Sequence, residues 1–151
     1  MNVIVYAVTL IAALFAFSVR PGPVSRVLLV AWCMSAVIGL LGEAGLAGRS
    51  YMPGMAAAID MMIAMTCLSI ATRGASGHVR AIGLISMLLI FLHFGYAASH
   101  GEGPWHLYAL VGNALFVVQC IVAGGGLYGM ADFHDRLWRR DSRVRHHRGV
   151  R

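Results

Sequence analysis

Ala81-Ile82-Gly83-Leu84-Ile85-Ser86-Met87-Leu88-Leu89-Ile90-Phe91-Leu92-His93-Phe94-Gly95-Tyr96-Ala97-Ala98-Ser99 is the stretch that decides the fold. It holds no carboxylate, no arginine and a single histidine, between Arg80 and the turn Gly101-Glu102-Gly103-Pro104. A helix of about 20 mostly apolar residues spans the hydrocarbon core of a bilayer. Inside lipid the segment must be helical, because a lone helix satisfies its own backbone hydrogen bonds.

Four similar runs surround it. Asn2 to Val19 is ended by Arg20-Pro21-Gly22-Pro23, where proline cannot continue a helix. A second span runs from about Val27 to Leu46 and stops at Gly48-Arg49; a third follows Pro53, from about Gly54 to Thr72. The quoted stretch is the fourth, and the fifth runs from about Trp105 to Met130. The sequence therefore predicts an all-α, polytopic transmembrane bundle of five helices over residues 1–130, with neighbours antiparallel because the connections are short. Composition agrees: the 151 residues are 59% hydrophobic and 12% charged, with a mean hydropathy of +0.74. A soluble domain carries roughly 25% charged residues. The opening run has no basic residue before it and Arg20 after it, the reverse of a secretory signal, so it is expected to stay as a helix.

Arginine sets the orientation. Of the 12 basic residues, all arginine, one lies in the second loop (Arg49) and none in the fourth, which holds Glu102. Arg20 and Arg26 lie in the first loop, Arg73 and Arg80 with His78 in the third, and the remainder in the tail. Positive loops stay in the cytoplasm, so the N-terminus is expected outside and the C-terminus inside. The absence of lysine beside abundant alanine, glycine and arginine fits a GC-rich bacterial or phage coding sequence, hence a bacterial inner membrane with the N-terminus periplasmic.

Residues 131–151 read as a cytoplasmic, arginine-rich amphipathic tail. Met130, Phe133, Leu137 and Val144 share one helical face, while Arg136, Arg139, Arg140 and Arg143 mostly lie off it. This is the pattern of an interfacial helix. Its arginines are expected to contact anionic lipid headgroups, at about 1 kcal/mol each. No aromatic platform or binding motif points to nucleic acid.

Ionisable groups within spans are functional candidates, because burying them in lipid is costly. At about 1.5 Å per residue, Asp60, His93 and Asn113 fall at one level, roughly 10 Å from the outer surface. Glu43, His100, Glu102 and His106 lie nearer the rim. An Asp60–His93 pair is the specific expectation. Three uses compete for this cluster: a polar lock between helices, a water-filled vestibule for ion or proton passage, and a metal or haem site built from His93, His100, His106 and Asp60. Histidine and carboxylate suit zinc, copper or iron, but the spacing matches no metal motif. Trp105, Tyr108, Tyr51 and Tyr128 read as an interfacial aromatic belt.

Gly39, Gly42, Gly45 and Gly48 recur every third residue in the second span, and Gly125 and Gly129 form a GxxxG at the end of the fifth. Small residues let helices approach closely. Cys33, Cys67 and Cys120 sit in apolar runs and read as buried thiols. The Met-rich third span reads as adaptable packing. No GxSxG, P-loop, HExxH or dinucleotide fingerprint is present.

The functional expectation is a small, non-enzymatic inner-membrane protein that self-associates or forms a pore, of the general kind to which phage holins belong. The alternatives are a metal- or haem-binding membrane subunit using the His/Asp cluster, and an accessory subunit packed against a larger membrane complex.

Overall fold

A computed structural model describes residues 3–45, 52–74, 77–99 and 104–126. These form five helices: α1 (Val3–Val19), α2 (Pro23–Glu43), α3 (Met52–Ala71), α4 (Gly77–Ala98) and α5 (Trp105–Ala123). The described residues contain no strand. Helices α2 to α5 are each long and apolar enough to cross a membrane; α1 is apolar throughout but has only 17 residues. The arginine-rich tail, with Arg136, Arg139, Arg140 and Arg143 and its expected interfacial helix, lies outside the described residues.

The helix boundaries correct the expected spans for local reasons. Helix α2 begins at Pro23, before the expected Val27. Proline's fixed φ suits a first helical position. The Ser25 hydroxyl accepts the Gly22 N–H at 2.9 Å and lies 2.7 Å from the Arg20 carbonyl, to which it donates. Arg26 thereby belongs to the helix rather than the loop. Helix α4 likewise starts at Gly77 and takes in Arg80. Helix α5 stops at Ala123, short of the expected Met130. The run Gly124-Gly125-Gly126 is its terminator: Gly125 and Gly126 have φ of 96° and 63°, a left-handed backbone that glycine adopts without steric cost.

Each helix packs against the next in sequence, and α5 packs back on α1, closing a ring in which α3 and α4 form the most extensive pair. Four antiparallel steps, an even number, leave α1 and α5 side by side and running the same way. Arg20, Arg26, Arg73 and Arg80 consequently gather at one end of the bundle, termed here the arginine end; the other is the far end. At the arginine end the Arg20 guanidinium lies 3.2 and 3.4 Å from the two ring nitrogens of His78, linking the close of α1 to the start of α4.

The core sits towards the arginine end. Ala12, Ala13 and Ala16 of α1 meet Leu28 and Ala31 of α2, Ile63 and Cys67 of α3, Val79 and Ile82 of α4, and Cys120 and Ala123 of α5. Alanine and glycine allow this closeness. A Cβ on Gly124 would lie 2.8 Å from the Phe15 ring, and one on Gly83 would lie 3.2 Å from the Cys67 Cβ. Towards the far end the helices loosen. No residue of α2 described beyond Ala31 is buried, and none of α5 before Gln119. Most buried residues there belong to α3 and α4, among them Ala57, Ile59, Asp60, Leu89, Ile90 and His93, with Thr9 on α1.

Candidate functional site

Three polar side chains of the far half meet across α3, α4 and α5. Asp60 lies in the third turn of α3, His93 near the end of α4, and Tyr108 in the first turn of α5. Antiparallel packing brings all three to one level. His93 Nε2 lies 2.7 Å from Asp60 Oδ2, and His93 Nδ1 lies 2.6 Å from the Tyr108 hydroxyl. The His93 and Asp60 side chains are 7% and 10% exposed. They form a carboxylate–imidazole–phenol relay across three helices, enclosed by apolar chain.

The bonding fixes where protons sit. With a neutral imidazole and an ionised carboxylate, His93 Nε2–H donates to Asp60 and the Tyr108 hydroxyl donates to Nδ1. With an imidazolium, both ring N–H groups donate, and the Tyr108 oxygen becomes an acceptor. A group lacking a partner at this depth would carry a large desolvation penalty, and here each ring nitrogen has one.

Two more rings, Tyr96 and Trp105, pack around Tyr108. Tyr96 stacks on Tyr108 with centroids 4.3 Å apart, and Trp105 lies 5.2 Å from Tyr108 and 5.7 Å from Tyr96. The periodicity of α4 explains the arrangement: Tyr96 follows His93 by about one turn, so the two side chains share a face. All three rings are half-buried, as aromatics with one apolar and one wet side prefer.

A second polar tier lies two turns down α4. Gln119 Nε2 donates to Ser86 Oγ at 2.9 Å, and Ser86 in turn donates to the Ile82 carbonyl at 3.1 Å. Gln119 is fully buried, and its Oε1 has no hydrogen-bond partner among the described residues. On the other side of the ring, Trp32 Nε1 donates to Thr9 Oγ1 at 3.0 Å, joining α2 to α1.

The structure thus brings Asp60 and His93 together and leaves other expected members apart. Asn113 is half-buried and turns back on its own helix, donating to the Ala109 carbonyl at 2.7 Å. His106 is exposed, two positions from Tyr108 and so on a different face of α5. Glu43 is the last residue of α2, and its side chain lies outside the described part, as do His100 and Glu102. Of the expected metal set, His100 lies outside the described residues; both His93 nitrogens are occupied by protein groups, and no three His, Cys, Asp or Glu side chains come together among the described residues. Met55, Met61 and Met65 of the Met-rich span are exposed on the outside of the bundle.

No protein-family profile, curated protein or solved structure matches the chain. The site is therefore read from its own chemistry. It can hold three helices in register, and it can hold or pass a proton. The relay itself contains no serine, threonine or cysteine to serve as a nucleophile.

Proposed function

We propose that this small membrane protein is non-enzymatic and acts by associating with copies of itself, in general character like the holins. Its membrane is the bacterial inner membrane, with the arginine end facing the cytoplasm. The observation that carries the reading is the unequal completion of the bundle. Helices α2 and α5 leave their far halves without one described buried side chain. Leu40 and Leu110, on those two halves, are each 63% exposed. Membrane helices associate through close van der Waals packing and polar links, and neighbouring copies would supply that packing to the far halves.

A single chain is a poor conduit in this reading. Leu28, Ile63 and Ile82 fill the bundle at the arginine end and are almost wholly buried. Any pore therefore forms between copies. The Asp60–His93–Tyr108 relay then serves as a lock that holds α3, α4 and α5 in register within each copy.

Two copies with different affinity tags, co-expressed and extracted in mild detergent, test the proposal. Each tag is expected to capture the other copy, and reconstituted protein is expected to release a small dye from vesicles more than proportionally as protein per lipid rises. A chain that stays monomeric at every protein-to-lipid ratio overturns it. One that recovers a stoichiometric foreign partner without its own second copy replaces it with the accessory-subunit reading.

A further inference from the structure

We infer that the Asp60–His93–Tyr108 relay is a binding site for one exchangeable proton, reached from the far end of the bundle and closed to the arginine end. This goes beyond the self-association reading and does not depend on it.

The first argument is charge. With a carboxylate and a neutral imidazole, the relay carries one negative charge inside an apolar span. The four described arginines, Arg20, Arg26, Arg73 and Arg80, all lie at the opposite end. One added proton makes the relay electrically neutral, the state a low-dielectric interior favours. The groups that face it are Asp60 from α3, His93 and Tyr96 from α4, and Tyr108 from α5. Elsewhere in the same half, α5 carries His106 on its exposed face, α1 carries Tyr6 and α2 carries Cys33. Among these described groups Asp60 is the one carboxylate and His93 the one buried base.

The second argument is geometry. Tyr108 belongs to the first turn of α5, three residues from the helix start and about 5 Å along its axis, and it is half-buried. Of the three relay residues it is the least buried, Asp60 and His93 both being buried. A proton from far-end water joins the Tyr108 oxygen while the phenol's own proton passes to His93 Nδ1. The imidazole becomes an imidazolium, with Nε2–H still donating to Asp60. No bond other than O–H and N–H changes, and the phenol ends with its hydrogen turned outward. Towards the arginine end the path is shut. Leu89 and Ile90 on α4 and Ile63 on α3 are buried below the relay. The next polar tier, Ser86–Gln119, lies seven residues from His93 along α4, about 10 Å away.

The sequence offers a clean probe. Asp60 is the only aspartate outside the tail, the others being Asp132, Asp135 and Asp141. Full-length protein with Asp132→Asn, Asp135→Asn and Asp141→Asn, labelled with carboxyl-13C aspartate and placed in lipid, reports Asp60 alone by infrared difference spectroscopy. Between about pH 4 and pH 9, the range over which carboxylates and histidine titrate, the labelled carboxylate band is expected to shift in a single step, together with an imidazole band. His93→Gln should remove the imidazole part, and Tyr108→Phe should move the midpoint while keeping the ring stack. In sealed vesicles sorted by orientation, a pH step on the far-end side should move the band and a step on the arginine side should not. Unchanged labelled bands across that range in the His93-containing protein overturn the inference, and so does a response to the arginine side. Cross-capture of tagged copies, read in the same samples, separates failure here from failure of the association reading.

Discussion

The two ends of this bundle are held together by different physics. At the arginine end, Ala12, Ala13, Ala16 and Ala31 let backbones close on Leu28, Ile82 and Cys120, and stability comes from many short contacts with no preferred direction. At the far end, α5 is held by a relay of two hydrogen bonds and a cluster of three rings, two of them stacked. Lipid gives helices little hydrophobic reason to associate, since acyl chains are as apolar as leucine. A membrane bundle must choose between close packing and directed polar links, and this chain uses one at each end. The contrast means that volume changes should hurt one end and bonding changes the other.

The largest break should come from opening the packed end. Leu28→Ala empties a site that is 0% exposed and is expected to cost about 2–5 kcal/mol, measured by reversible unfolding in mixed micelles. Leu110→Ala, at a 63% exposed position of the far half, should cost far less in the same assay. Equal losses would erase the contrast. Gly124→Val comes next, because its added atoms meet Phe15 where a Cβ alone would already lie at 2.8 Å. Overpacking of this kind costs about 1–3 kcal/mol, and Phe15→Ala in the same chain should recover part of it.

At the far end the numbers should be smaller. A double-mutant cycle of Asp60→Asn and His93→Gln is expected to give a coupling between about 0.6 and about 1.7 kcal/mol, the average and the maximum for polar pairs between membrane helices. A coupling indistinguishable from zero would remove the directed bond as a cause of far-end order. The smallest effect belongs to Gln119→Leu. Its Oε1 is buried without a described partner, so losing the amide removes one bond and one penalty together, and stability should stay within about 1 kcal/mol of the parent. A large loss would show that Gln119 binds something beyond Ser86.

Much of this arrangement was legible in the sequence. The spacing of apolar runs between Arg20-Pro21, Pro53, Arg80 and Pro104 predicts five helices, and counting residues from those breaks puts Asp60 and His93 at one depth. The third member of the relay was not legible by the same count. Depth measured along the backbone favours Asn113, whereas the bond comes from Tyr108, whose long phenol reaches His93 from the first turn of α5. Asn113 is short and finds the Ala109 carbonyl closer at hand. Tyr108 reads as an interfacial aromatic because its type is typical of that place, and type alone does not say where the hydroxyl points. Helix α5 ends before its apolar run does for a related reason. Three glycines in an apolar context look like span, and only the positive φ of Gly125 and Gly126 makes them a stop.

The length of α5 reaches beyond the protein itself. Its 19 residues measure about 29 Å at 1.5 Å per residue, close to the thickness of about 30 Å of an average hydrocarbon core. A helix that just matches the core has little spare length to take up by tilting. Acyl-chain length therefore becomes a handle on where the protein settles.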